Sequence, residues 1–201
     1  MKHNLWFLLL LCCFGCTKKS DLPSRIELNR DWSFRNVTDS IWFKATVPGN
    51  VHSNLLENKR IQHPFIGNNE ADLQWISETD WEYKTQLNLD EKTLHKKHIE
   101  LHFEGLDTYA SIFLNDSLIL KANNAFRRFN VDIKPLLKSE NELRIVFENT
   151  TKHEAAEKAK LPYELPEGNR VFTRKAQFQY GWDFGPQLNT SGIWRPVKLV
   201  A

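Results

Sequence analysis

The chain has 201 residues and a formal net charge of +2, with Lys and Arg scattered rather than clustered, so no electrostatic footprint for nucleic acid is present. Its seven histidines read as surface or packing residues, and no cysteine follows Cys16, so neither a metal site nor a disulfide framework is expected and no cofactor is implied. About 185 residues remain beyond the leader, ample for one hydrophobic core held by packing alone.

Residues 1–16 read as a leader. Lys2 and His3 are followed by an apolar run from Leu5 to Phe14, about half the roughly twenty residues a membrane-spanning helix needs. Gly15 precedes Cys16, and Thr17-Lys-Lys-Ser-Asp turns abruptly polar. The pattern resembles a bacterial lipoprotein signal in which Cys16 becomes the lipidated first residue, although Cys13 stands where such signals usually carry Leu. It implies an exported lipoprotein, periplasmic or on the cell surface, anchored to a membrane by lipid. Cys13-Phe-Gly-Cys16 also has the Cys-x-x-Cys spacing of redox and metal motifs, but these need a folded neighbourhood or a second ligand pair. Residues 17–27 are expected to be a short tether, and 28–201 one folded domain.

Val51 to Asn58, after Pro48-Gly49-Asn50, reads as a short helix. Period-two alternation then recurs: Trp81, Tyr83, Thr85, Leu87 and Leu89; Ile99, Leu101 and Phe103; Ala110, Ile112 and Leu114; Phe129, Val131 and Ile133; Leu143, Ile145 and Phe147. Such alternation predicts half-buried antiparallel strands. Asn115-Asp116 reads as the hairpin turn before Ser117-Leu-Ile-Leu120. A second short helix is expected over Glu154–Lys160, with Glu154 and Lys158 paired at i,i+4. The remaining glutamates read as solvated surface charges on strand faces and loops. Leu161-Pro-Tyr-Glu-Leu-Pro-Glu-Gly168 breaks regular structure and predicts a long surface loop. The fold class is therefore all-β: an antiparallel β-sandwich of jelly-roll type with one or two short helices.

The segment Arg174-Lys-Ala-Gln-Phe-Gln-Tyr-Gly-Trp-Asp-Phe-Gly-Pro186 is the candidate site. Trp182 and Asp183 sit between Gly181 and Gly185, with Pro186 closing the turn. An indole covers the apolar C–H face of a pyranose, and a neighbouring carboxylate accepts bonds from two hydroxyls. The alternative is a buried turn, with Trp182 as core and Asp183 capping backbone N–H groups. Spacing leaves both open.

Gly181-Trp-Asp-Phe-Gly-Pro186 followed by Ser191-Gly-Ile-Trp-Arg-Pro-Val197 resembles the end of the N-terminal domain of β-mannosidases, a branch of glycoside hydrolase family 2. Phe103-Glu-Gly-Leu-Asp-Thr-Tyr-Ala-Ser-Ile-Phe-Leu-Asn115 resembles the sugar-binding jelly-roll signature of that family, and Asp107 and Thr108 within it read as turn caps. Pro64-Phe-Ile-Gly-Asn-Asn-Glu70, with Trp75 and Asp80-Trp-Glu-Tyr83, is closer to the mannosidase branch than to β-galactosidases. One departure is Phe184, where that branch more often shows a second Trp.

The resemblance implies a β-mannoside oligosaccharide as substrate, with Trp182 and Asp183 binding it and Arg174, Lys175 and Phe184 supporting the loop. Pairing of Arg174 with Asp183 is conceivable. Trp194 and Arg195 would anchor the last strand, as core and as surface clamp. The family's two catalytic glutamates lie on a (β/α)8 barrel after an immunoglobulin-like domain, so no catalytic residue is expected here and this segment alone should not turn over substrate. Two other readings remain: a self-standing carbohydrate-binding lipoprotein, and a family relative such as an exo-glucosaminidase.

Overall fold

The computed structural model describes residues 23–201; the expected leader with Cys16, and most of the expected tether, lie outside them. The strands are β1 (Arg25–Glu27), β2 (Trp32–Asn36), β3 (Phe43–Ala45), β4 (Trp81–Gln86), β5 (Glu100–Phe103), β6 (Tyr109–Leu114), β7 (Ser117–Asn123), β8 (Phe129–Asp132), β9 (Glu142–Glu148), β10 (Tyr180–Trp182), β11 (Gly185–Gln187) and β12 (Val197–Val200). Among the described residues four α-helices join them: α1 (Val51–Glu57), α2 (Asn69–Asp72), α3 (Glu91–Leu94) and α4 (Thr150–Lys158).

Two antiparallel sheets face each other. One runs β3-β2-β4-β9-β6-β7 and the other β1-β12-β5-β8, while β10 and β11 pair only with each other. Because successive side chains on a strand alternate faces, one set from each sheet meets in the core. Trp32, Phe34, Tyr83, Ile112, Ile145 and Phe147 of the larger sheet are fully buried, as are Leu101, Phe103 and Leu199 of the smaller. Tyr83 stacks on Phe34 with ring centroids 5.6 Å apart and meets Phe147 edge-on at 5.7 Å. The expected jelly-roll sandwich is the fold.

Several local expectations hold for visible reasons. Asn115 and Asp116 both take positive φ, 50° and 66°, as a two-residue hairpin requires. Asn115 also donates to the Leu136 carbonyl at 3.0 Å and to Asn141 Oδ1 at 2.9 Å, tying the turn to the next connection. Helix α1 starts from a capping box in which Asn50 Oδ1 accepts the Ser53 N–H at 2.9 Å. That start packs against Gly192, whose φ is 143° and whose absent Cβ would stand 2.9 Å from Asn50 Cα.

Other expectations need correction. The sheet begins at Arg25, inside the segment expected to be tether, because β1 pairs with β12 in register Arg25↔Val200. Glu154 and Lys158 do not pair. Lys158 reaches Glu164 at 3.1 Å, and Glu154 turns inward to a 5% exposed position. Nor are the glutamates uniformly solvated. Glu82, only 4% exposed, lies between Arg35 at 2.5 Å and Arg144 at 3.6 Å.

Candidate sugar-contact hairpin

Tyr180 to Gln187 is a small hairpin rather than the irregular turn its Gly and Pro content suggests. Tyr180 faces Gln187 and Trp182 faces Gly185, leaving Asp183 and Phe184 at the tip. Gly181 takes a φ of 92°, a value open to glycine and strained for other residues. Trp182 is 57% exposed and Phe184 92% exposed. Among the described residues the Asp183 carboxylate, also exposed, has no hydrogen-bond or ion-pair partner. The buried-turn alternative does not describe this geometry: Trp182 is not core and Asp183 caps nothing.

The base of the hairpin is held from three directions. On one strand the Tyr180 hydroxyl donates to Glu154 Oε1, which also accepts from Thr173 Oγ1 at 2.8 Å. On the other, the Gln187 N–H donates to Glu70 at 2.6 Å, and Gln74 donates to the Gln187 carbonyl at 2.9 Å. The 64–76 stretch and the Trp-Asp stretch, distant in sequence, thus meet at β11. In the third direction Gln179 bridges the sandwich and the segment that follows β11: its Nε2 donates to Asp107 Oδ2 at 3.0 Å and its Oε1 accepts the Thr190 N–H at 3.1 Å.

Lys175 supports this assembly from beneath. Its side chain is fully buried, 3.2 Å from Asp107 Oδ1, and donates to the Thr190 carbonyl at 2.5 Å. Burial pulls its ammonium below the ordinary lysine value, and the Asp107 carboxylate works against that pull. Asp107 is therefore a buried counter-ion and not a turn cap. Thr108, equally buried, donates to it. Arg174 points elsewhere: its side chain is exposed and, among the described residues, does not pair with Asp183. Its carbonyl instead accepts the Ala125 N–H at 2.9 Å. Trp194 is half-buried, not core, and donates from Nε1 to the Ala125 carbonyl at 3.0 Å, with the Arg195 guanidinium stacked 4.2 Å from its ring centroid.

Beside the hairpin lies a cavity of about 630 Å³, which sequence reasoning missed. Phe65, Phe126, Phe178 and Trp194 are among its walls, and its polar lining includes His52, Asp107, Gln179 and Thr190; Trp182, Asp183 and Phe184 are not part of it. His52 is buried with an unpartnered Nδ1. Burial first, and then the Lys175 charge, push its pKa from 6.5 down to about 4. The folded state therefore keeps His52 neutral where the unfolded chain takes up a proton. Its contribution to stability is complete above pH 6.5 and is lost progressively as pH falls to about 4, at most about 3 kcal/mol. His52→Leu should flatten the fall in melting temperature between those pH values relative to the parent; parallel profiles would show that His52 does not titrate this way. Among the described residues no group of three or more His, Cys, Asp or Glu side chains is placed to hold a metal ion.

The sequence profile described as "Glycosyl hydrolase 2 galactose-binding domain-like" matches residues 32–195. The chain is 34% identical over 212 residues to the β-mannosidase of Rattus norvegicus, an alignment covering 100% of this chain and 24% of that protein. It is 36% identical over 184 residues to β-mannosidase B of Aspergillus terreus, covering 86% of this chain and 22% of that one. Among solved structures, the β-D-mannosidase of Dictyoglomus thermophilum superposes with a TM-score of 0.84 at 40% identity, across 88% of this chain and 22% of that one. The chain thus spans about a quarter of the length of the curated relatives it matches. With topology and sequence in agreement, the chain belongs to the glycosyl hydrolase 2 galactose-binding domain-like family, as a counterpart of the N-terminal domain of β-mannosidases.

Proposed function

We propose that this domain serves an exo-acting β-mannosidase that removes terminal non-reducing β-D-mannose, with Trp182 and Asp183 forming part of the sugar subsite. The observation that carries this reading is the hairpin: its base is held by hydrogen bonds to Glu154 and Glu70 while its tip offers an unpartnered carboxylate beside an exposed indole. A carboxylate left free by its own domain is ready to accept charge-assisted bonds from vicinal hydroxyls.

Retaining glycoside hydrolysis needs two carboxyl groups about 5–5.5 Å apart, a nucleophile and an acid/base. The buried carboxylates of this domain are otherwise employed: Glu82 with Arg35, Asp107 with Lys175, Glu154 with two hydroxyls. By the resemblance to family-2 enzymes, the catalytic pair lies on a (β/α)8 barrel outside this segment, following an immunoglobulin-like domain, and the segment alone is inactive. Exposed Phe65, Phe126, Phe178 and Phe184 suit packing against those domains.

We also propose that Cys16 is lipidated and that the enzyme is an exported bacterial lipoprotein. Several acyl chains, at roughly 0.8 kcal/mol per buried CH₂, would give stable anchoring. One preparation tests both proposals. The full-length protein should release mannose from an aryl β-mannoside in preference to the matching β-glucosaminide, and Cys16→Ala should move it from the membrane to the soluble fraction. Binding of mannosides without turnover would favour a self-standing binding protein, and membrane retention of Cys16→Ala would reveal another anchor.

A further inference from the structure

We infer that Glu154 is a positioning residue for the sugar contact, aiming the Asp183 carboxylate through the Tyr180 hydroxyl; this rests on the substrate-contact reading of Asp183.

Glu154 is out of character for its surroundings. On α4 only Thr150 and Glu154, one turn apart, are buried, and Glu154, 5% exposed, brings a carboxylate into that buried face. A buried carboxylate is costly unless its lone pairs are satisfied. Here the direct partners are hydroxyls, Thr173 Oγ1 at 2.8 Å and Tyr180 Oη, while the ammonium of Lys175 is committed to Asp107 and Thr190. Leu or Met would fill such a position at lower cost. A local departure from packing logic of this kind marks a site where the charge or the acceptor serves another purpose.

That purpose follows from the hairpin's weakness. The β10–β11 ladder has only two cross-strand pairs, and an isolated two-stranded hairpin is marginal even when longer. Its orientation must therefore come from tethers at its base. β11 is tied by Glu70 and Gln74 to Gln187; β10 is tied at its first residue by Tyr180 to Glu154. Asp183 lies three residues beyond Tyr180, so freedom at Tyr180 becomes displacement of the carboxylate. Glu154 Oε1 is itself fixed by Thr173, whose hydroxyl lies 3.4 Å from the Tyr109 hydroxyl at the start of β6. The tether thus runs from the larger sheet through α4 to the tip. Misplacement of a positioning group by about 1 Å is enough to cost on the order of a hundredfold in rate.

The test uses the full-length enzyme and an aryl β-mannoside. Tyr180→Phe, which removes one hydroxyl and keeps the ring, should lower kcat/KM about five- to twentyfold, most of it in kcat, when assayed well below a melting temperature that itself falls because Glu154 loses a donor. Glu154→Leu should lose at least as much, and Glu154→Gln, whose amide oxygen accepts the same two hydroxyls, should recover most of that loss. The decisive measurement is the double-mutant cycle with Asp183→Ala. If Tyr180 acts through Asp183, Tyr180→Phe should cost less than about twofold once Asp183 is gone. Equal losses in both backgrounds, or full activity of Tyr180→Phe alone, would overturn the inference while leaving Asp183 as a sugar contact. Full activity of Asp183→Ala would overturn the subsite reading itself and this inference with it.

Discussion

Asp183→Ala, introduced into a full-length protein carrying this domain, is expected to lower kcat/KM for a β-mannoside about ten- to a hundredfold while leaving the melting temperature unchanged. The two halves of that expectation have separate origins. Stability should hold because the side chain stands exposed at the tip of the β10–β11 hairpin and, among the described residues, makes no bond whose loss the fold would feel. Activity should fall because a charged acceptor for sugar hydroxyls is worth about 1.5–3 kcal/mol when removed. If those bonds tighten as the ring distorts towards an oxocarbenium-like state, most of the loss appears in kcat rather than KM. A structural turn residue would behave in the opposite way. Normal kinetics with a lower melting temperature would remove Asp183 from the subsite.

The core of the sandwich was legible in the sequence because each sheet buries one face. Burial imposes period two, and Trp81, Tyr83, Leu143, Ile145 and Phe147 display it directly. The short β2 escaped notice although Trp32 and Phe34 alternate with Ser33 and Arg35, since five residues between polar turns give a weak signal. The hairpin was illegible for a different reason. Gly181 and Pro186 argue against a strand by propensity, and what holds this one together is contributed by Glu70, Gln74 and Glu154, remote in sequence.

Charged groups were read least well. A Glu and a Lys four residues apart on a helix suggest a surface pair, yet tertiary burial claimed Glu154 for Tyr180 and Thr173. Asp107 and Lys175 are separated by 68 positions, and no local pattern announces that they meet. The resemblance points to this loop. It could not show that Lys175 supports the hairpin from below, through Asp107 and Thr190, and not beside the sugar contact.

That buried pair should give the largest stability effect in the domain. Lys175→Met keeps the aliphatic stem and removes the ammonium, leaving Asp107 as a buried carboxylate with only Gln179 and Thr108 as donors and depriving the Thr190 carbonyl of its donor. Breaking one side of a buried ion pair costs about 3–5 kcal/mol, chiefly because the orphaned charge remains desolvated. For a domain of this size that corresponds to a fall of roughly ten degrees in melting temperature. The companion change Asp107→Asn should restore part of the loss, because it removes the uncompensated charge while its amide still serves Gln179. Activity per folded molecule should stay low in the double variant, since Thr190 and Gln179 frame the hairpin base and the Lys175 donor is still missing. A shift below about two degrees for Lys175→Met would mean that water or another group replaces the ammonium, and that the platform beneath the hairpin does not depend on this ion pair.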